Sequence, residues 1–167
     1  MSNVTRYLKT LYLMRHATAG MDATRDFDRP LTATGERDSR HMGRWLNTTL
    51  AEPQKIISSP ALRAKTTASI LMEELHQQHT IHFEPELYEA SVRTFLQLVN
   101  GLDDQWDTVL IVAHNPSITY LADYLTSEGI EGLVPGALVG LGFRMESWQL
   151  ISQKSAEIIC FQTPNQL

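Results

Sequence analysis

The run Thr108-Val-Leu-Ile-Val-Ala113 constrains the fold more than any other stretch of the chain. It is apolar on both faces, as a strand is when helices cover a parallel sheet front and back. The rest of the sequence fits around such a strand. Strand-like and helix-like signals alternate from end to end, the pattern of an α/β domain with a mostly parallel sheet. Strands are expected at residues 10–14, 55–58, 81–83, 108–113, 137–144 and 156–161. Between them, Thr32 reads as the N-cap of a helix whose apolar Met42, Trp45, Leu46 and Leu50 fall at helical spacing. Ser59-Pro60 reads as a cap residue followed by proline at the first helical position, with the helix continuing through Leu62, Ile70, Leu71 and Leu75. Ser91 caps a third helix through Phe95, Leu96, Val99 and Leu102, and Asn115-Pro116 repeats the cap-and-proline device for a fourth, toward Leu125. The expectation is a three-layer α/β/α sandwich, one domain over residues 1–167, long enough to bury a core without disulfides or metals.

Composition narrows the partners. With 14 Lys and Arg against 19 Asp and Glu the formal net charge is −5, and no basic block offsets it. That argues against nucleic acid or an anionic membrane as partner. Cys160 is the single cysteine, so no internal disulfide can form. The opening residues lack the apolar core of a signal peptide, and no stretch approaches eighteen uninterrupted apolar residues. A cytoplasmic location is expected.

Three of the expected strand ends carry polar cargo with no packing reason to be there. The first ends in Arg15-His16, the second leads through Ser58-Ser59-Pro60 to Arg63, and the fourth ends in His114-Asn115. In open α/β sheets ligands bind outside the carboxyl ends of the strands, beside the N-termini of helices. Two imidazoles and two guanidiniums gathered there make an anion pocket that can neutralise a phosphoryl group without a metal. A neutral imidazole nitrogen can attack phosphorus, so the chemistry that suits Arg15-His16 is phosphoryl transfer.

Four segments, in order, resemble the histidine phosphatase superfamily, the phosphoglycerate-mutase-like fold. They are Leu13-Met-Arg-His-Ala-Thr-Ala19, Asp28-Arg-Pro-Leu-Thr-Ala-Thr-Gly35, Ser58-Ser-Pro-Ala-Leu-Arg-Ala-Lys-Thr-Thr67 and Val112-Ala-His-Asn-Pro116. The chain is most similar to the short bacterial branch of SixA-type phosphohistidine phosphatases. The resemblance implies that His16 is the nucleophile, transiently phosphorylated, and that Arg15, Arg63 and His114 bind the phosphoryl oxygens. One departure is visible: the superfamily usually has glycine after the histidine, and this chain has Ala17. Larger mutase and acid-phosphatase relatives use a carboxylate to protonate the leaving oxygen, and Glu89 in Leu87-Tyr-Glu-Ala-Ser91 is the candidate here. As a residue, Glu89 reads equally as a loop carboxylate capping the helix behind it. Thr18, two residues past His16, could offer its hydroxyl to the phosphoryl group.

The remaining candidates have plainer readings. Arg40-His41 falls on the outer side of a helix whose buried stripe is set by Met42 and Trp45, and is read as surface. His76, His79 and His82 have metal-like spacing but no accompanying cysteine or carboxylate cluster, so no metal and no cofactor is expected. Asp26 and Asp28 are read as solvated loop residues, with Asp28 or Arg29 fixing the loop beside the site. A chain this short lacks the insertions that enclose small substrates, and an open rim can admit a phosphorylated side chain on another protein. A phosphohistidine-bearing phosphotransfer or phosphocarrier protein is the expected substrate. Two alternatives stand beside it: a broad-specificity phosphomonoesterase acting on small metabolites, and a non-catalytic phosphate-binding module. A mutase fits less well, since a short open chain would release its phosphoryl group to water.

Overall fold

A computed structural model describes residues 6–76, 78 and 80–167. Its sheet consists of β1 (Lys9–Arg15), β2 (Lys55–Ser58), β3 (Ile81–Phe83), β4 (Thr108–Ala113), β5 (Leu138–Phe143) and β6 (Glu157–Gln162), in the order β3-β2-β4-β1-β5-β6. From β3 to β1 the pairing is parallel, whereas β5 and β6 are added antiparallel. The central pair β1 and β4 runs in register from Thr10 opposite Thr108 to Arg15 opposite Ala113. The two strand ends that carry His16 and His114 are therefore level with each other.

Alternation along the strands divides the core in two. Leu11 and Leu13 of β1, with Val109 and Ile111 of β4, face α3 (Val92–Asn100) and α4 (Ser117–Thr126). Tyr12 and Met14, with Leu110 and Val112, face α1 (Ala33–Thr49) and α2 (Leu62–Glu73). The α/β/α sandwich follows from that period-two pattern.

Two helices start later than their local signals predict. Ser59-Pro60 does not cap α2: its N-cap is Ala61, and the Ser59 hydroxyl accepts from the Ala61 N–H while also meeting His114. Asn115 does not cap α4, whose N-cap is Pro116. Its amide instead donates to the Leu133 carbonyl and accepts from the Thr119 hydroxyl. In both cases a tertiary partner outbids the local cap. Thr32 and Ser91 do cap α1 and α3, accepting from Gly35 N–H and Thr94 N–H.

Gly35, in the first turn of α1, locks the helix to the loop after His16. Thr18 offers its carbonyl to the Thr32 N–H at 2.9 Å, and a Cβ on Gly35 would overlap that same carbonyl. Intrinsic propensity alone would make Gly35→Ala stabilising by up to ~1 kcal/mol. Backbone cannot yield as a side-chain tip can, so the clash wins, and a loss of about 1–3 kcal/mol is expected, with a lower Tm. An unchanged or raised Tm would contradict this placement of the loop.

Candidate active site

His16 follows β1 directly, and its N–H donates to the Ala113 carbonyl of β4 at 3.0 Å. The residue is 9% exposed. The Nδ1 atom lies 2.8 Å from the Ala17 carbonyl, which can only accept, so Nδ1 carries the proton and Nε2 keeps its lone pair. The Arg63 Nε–H donates to that lone pair at 3.2 Å. Burial holds the imidazole proton-free: its pKa falls from 6.5 to about 4, with the Arg63, Arg15 and Arg29 charges adding to the shift against the Ala17 carbonyl.

The departure at Ala17 leaves the backbone undisturbed. Positive φ among the described residues occurs at Ser127, Lys154, Gly129 and Gly136, and not at Ala17. The Ala17 methyl is fully buried with Leu31 and Ile70, and its N–H donates to the Thr67 hydroxyl at 3.1 Å. Thr67 in turn donates to the Arg63 carbonyl at 2.7 Å, tying the His16 loop to α2.

Arg63 is the hub. Besides His16 it donates from Nη1 to the Asp26 carbonyl at 2.7 Å and from Nη2 to the Asp26 carboxylate at 3.0 Å. The same carboxylate accepts from the Tyr88 hydroxyl at 2.7 Å and from Arg29 at 3.1 Å, which together with Arg63 hold it far below the usual carboxylate range. Arg15 gives Nη1 to a neutral acceptor, the Leu133 carbonyl at 3.0 Å, and its buried Nε has no partner. Its charge is left for a ligand.

His114 follows β4 directly, and its ring centroid lies 5.1 Å from that of His16. Nε2 meets the Ser59 hydroxyl at 2.7 Å, while buried Nδ1 has no partner. Burial first, then His16 and the Arg63 charge, lower its pKa from 6.5 to about 3, against the pull of Asp26. Tyr88 stands edge-on to this ring at 5.7 Å.

Arg15, His16, Arg63 and His114 are thus brought together at the carboxyl edge of the sheet. Thr18, two residues past His16, is held through its carbonyl by Thr32. Glu89 is exposed on the segment that follows Tyr88. Asp26 is exposed, as the sequence reading has it, but it also binds Arg63 through its carbonyl and its carboxylate. Asp28 instead pairs with Arg25 at 2.7 Å, and Arg29 secures the loop through Asp26 and the Gly20 carbonyl. Sequence reasoning gave no role to Thr67 or Tyr88, and to Ser59 only that of a helix cap. Thr67 closes one of the four quoted segments, and that position was the available signal. Arg40 pairs with Glu73 and Glu74 on the outside of α1, and His41 is exposed. Of the three spaced histidines, His76 bonds Glu52, His82 meets Glu84, and His79 lies outside the described residues. Among the described residues no three His, Cys, Asp or Glu side chains gather as metal ligands, and no helix is long and apolar enough to cross a membrane.

Both rings bind protons more weakly folded than unfolded, so the unfolded state takes up more protons below pH 6.5. Stability therefore falls as pH drops from about 6.5 toward 4 and 3, at up to ~1.4 kcal/mol per pH unit per ring. Denaturant unfolding at pH 7 and pH 5 should show wild type losing more stability than His114→Gln. Equal losses would mean that the ring is not held proton-free.

A proton-free imidazole nitrogen between two guanidiniums and a second imidazole is a nucleophile facing an anion site. Comparison with known proteins gives the class. The sequence profile of the histidine phosphatase superfamily, branch 1, matches residues 11–99. Phosphohistidine phosphatase SixA of Escherichia coli (strain K12) is 32% identical over 115 residues, covering 66% of this chain and 70% of that protein. A solved structure assigned to SixA from Nakamurella multipartitia superposes with a TM-score of 0.84 at 30% identity, over 93% of this chain and 96% of that one. The protein histidine phosphatase SixA complexed with tungstate superposes with a TM-score of 0.82 at 25% identity, over 94% and 98%. The chain belongs to the histidine phosphatase superfamily. Within it the chain is of the SixA type, and it is a phosphatase.

Proposed function

We propose that the enzyme hydrolyses phosphohistidine on a protein by way of a phosphoryl group carried on His16. The first step forms a bond from His16 Nε2 to phosphorus and breaks the bond from phosphorus to the substrate's imidazole. The substrate ring, protonated on its other nitrogen, takes that electron pair and leaves as neutral imidazole, so no proton has to be supplied at the breaking bond. Positive charge arising on the His16 ring is met at Nδ1–H by the Ala17 carbonyl. Arg63 must release the Nε2 lone pair for this step, and the arriving phosphoryl oxygens are the acceptors that draw its Nε–H away. Arg15, Arg63 and His114 then carry the charge on those oxygens. In the second step water attacks phosphorus, the pair returns to Nε2, and inorganic phosphate departs.

The observation that carries the substrate class is the state of the site's carboxylate. A general acid works best with a pKa near the operating pH. Asp26 is held ionised by Arg63, Arg29 and Tyr88, so it has no proton to give an alkoxide. Imidazole leaves readily because its own nitrogen accepts a proton near neutral pH. That favours phosphohistidine over phosphate esters. The names of the SixA relatives point the same way, and tungstate, held by one of them, is a tetrahedral oxyanion like phosphate.

The ester reading keeps one observation in its favour: Glu89 stands exposed next to Tyr88 and its charge reaches the phenol. Kinetics on a phosphohistidine protein and an alkyl phosphate should show wild type preferring the former in kcat/KM. Glu89→Gln should leave that preferred reaction within about threefold of wild type, because no general acid is needed there. Preference for the ester, crippled by Glu89→Gln, would establish the monoesterase instead.

A further inference from the structure

We infer that Ser59 is a positioning residue that fixes the tautomer of His114, holding its proton on Nδ1 for donation to the phosphoryl group. The register that pairs Ser58 with Val112 carries Ser59 to the end of β4, where His114 begins. Ser59 is fully buried, and His114 is 9% exposed. The hydroxyl oxygen lies 2.7 Å from His114 Nε2 and accepts from the Ala61 N–H at 3.3 Å.

Counting donors and acceptors decides which way the short contact runs. If Nε2 carried the proton and donated to Ser59, the serine hydrogen would lose the ring as its acceptor. Its other recorded neighbour, the Ala61 N–H, is itself a donor. His114 Nδ1 would then be a bare lone pair, buried and without a partner. Two buried polar functions would go unmatched. If Ser59 donates to Nε2, its hydrogen is used, and only the Nδ1–H of His114 is left over. Buried polar groups are seldom left unpaired, so the second arrangement is favoured.

The leftover group is the useful one. His114 lies ring to ring with His16 at 5.1 Å, so oxygens on a phosphorus atom at His16 come within its reach. An Nδ1–H donates to them, whereas an Nδ1 lone pair would repel them. The hydroxyl also serves the charged ring: if phosphate binding adds a proton at Nε2, the serine turns and accepts it. This assignment rests on the reading that His114 holds the phosphoryl group.

Nitrogen-15 spectra of histidine-labelled wild-type protein at pH 7 test it, with His114 assigned by its loss in His114→Gln. The expected spectrum has a protonated Nδ1 and an unprotonated Nε2. In Ser59→Ala the ring should shift toward the Nε2-protonated form, and kcat should fall at least about tenfold, as expected when an oriented histidine loses the group that sets its tautomer. A proton found on Nε2 in wild type would overturn the assignment, even if Ser59→Ala cannot be made. So would a Ser59→Ala enzyme with unchanged ring signals and kcat while His114→Gln is impaired, in which case the role of His114 itself would survive. Full activity in His114→Gln would instead remove the reading of His114 and the assignment together.

Discussion

His16→Ala is expected to lower kcat/KM by at least about 10⁴-fold, the scale of removing a nucleophile while the surrounding charges remain. No other group can replace it. His114 Nε2 is engaged by Ser59, and Asp26 is engaged by Arg63, Arg29 and Tyr88. The variant should fold, because the loop is held through backbone groups: His16 N–H on Ala113 and Ala17 N–H on Thr67. It should also lose less stability than wild type between pH 7 and pH 5, because the ring whose lowered pKa makes the fold pH-sensitive is gone. Activity measured beside a melting curve at both pH values separates these effects. Substantial turnover in a folded His16→Ala protein would end the covalent mechanism.

Arg63→Ala should come next in size, at about 10²–10³-fold in kcat, typical for loss of one preorganised donor to developing charge. The guanidinium contacts the nucleophile, anchors Asp26, and helps hold the His16 pKa down. Its removal should therefore also move the acid limb of the pH–rate profile upward, toward the ordinary histidine value. Lysine cannot restore three bonds from one fork, so Arg63→Lys should recover charge but little rate. His41→Ala is the control, on the exposed side of α1, and should leave kcat unchanged. A loss at His41 equal to that at Arg63 would mean that the pocket has been misplaced.

How much of this was legible in the sequence depended on where each residue finds its partner. The spans of β2, β3 and β4 match expectation because short apolar runs between breakers are local signals. The α1 and α3 caps were readable for the same reason. Ser59 and Asn115 carry the same kind of signal and mislead, since His114 and Leu133 take their side chains. Their partners lie 55 and 18 residues away, beyond any local rule. Asp26 is the clearest case. In a loop rich in charges it reads as solvated, and it is exposed, but its partners Arg63 and Tyr88 are 37 and 62 residues away and gave no local signal. The residues expected to meet the phosphoryl group were visible because polar side chains at the ends of apolar strands stand out. Those that set their geometry were not, because Ser, Thr, Tyr and Asp are unremarkable until the fold brings them together.

The most direct test of the mechanism is the site of the phosphoryl adduct. Wild-type enzyme quenched during turnover of a phosphorylated donor should carry an acid-labile, alkali-stable phosphate on His16. Phosphorus and nitrogen NMR of that species should place the bond at Nε2, since Nδ1 is committed to the Ala17 carbonyl. An adduct on another residue, a bond at Nδ1, or turnover without any adduct would contradict the account.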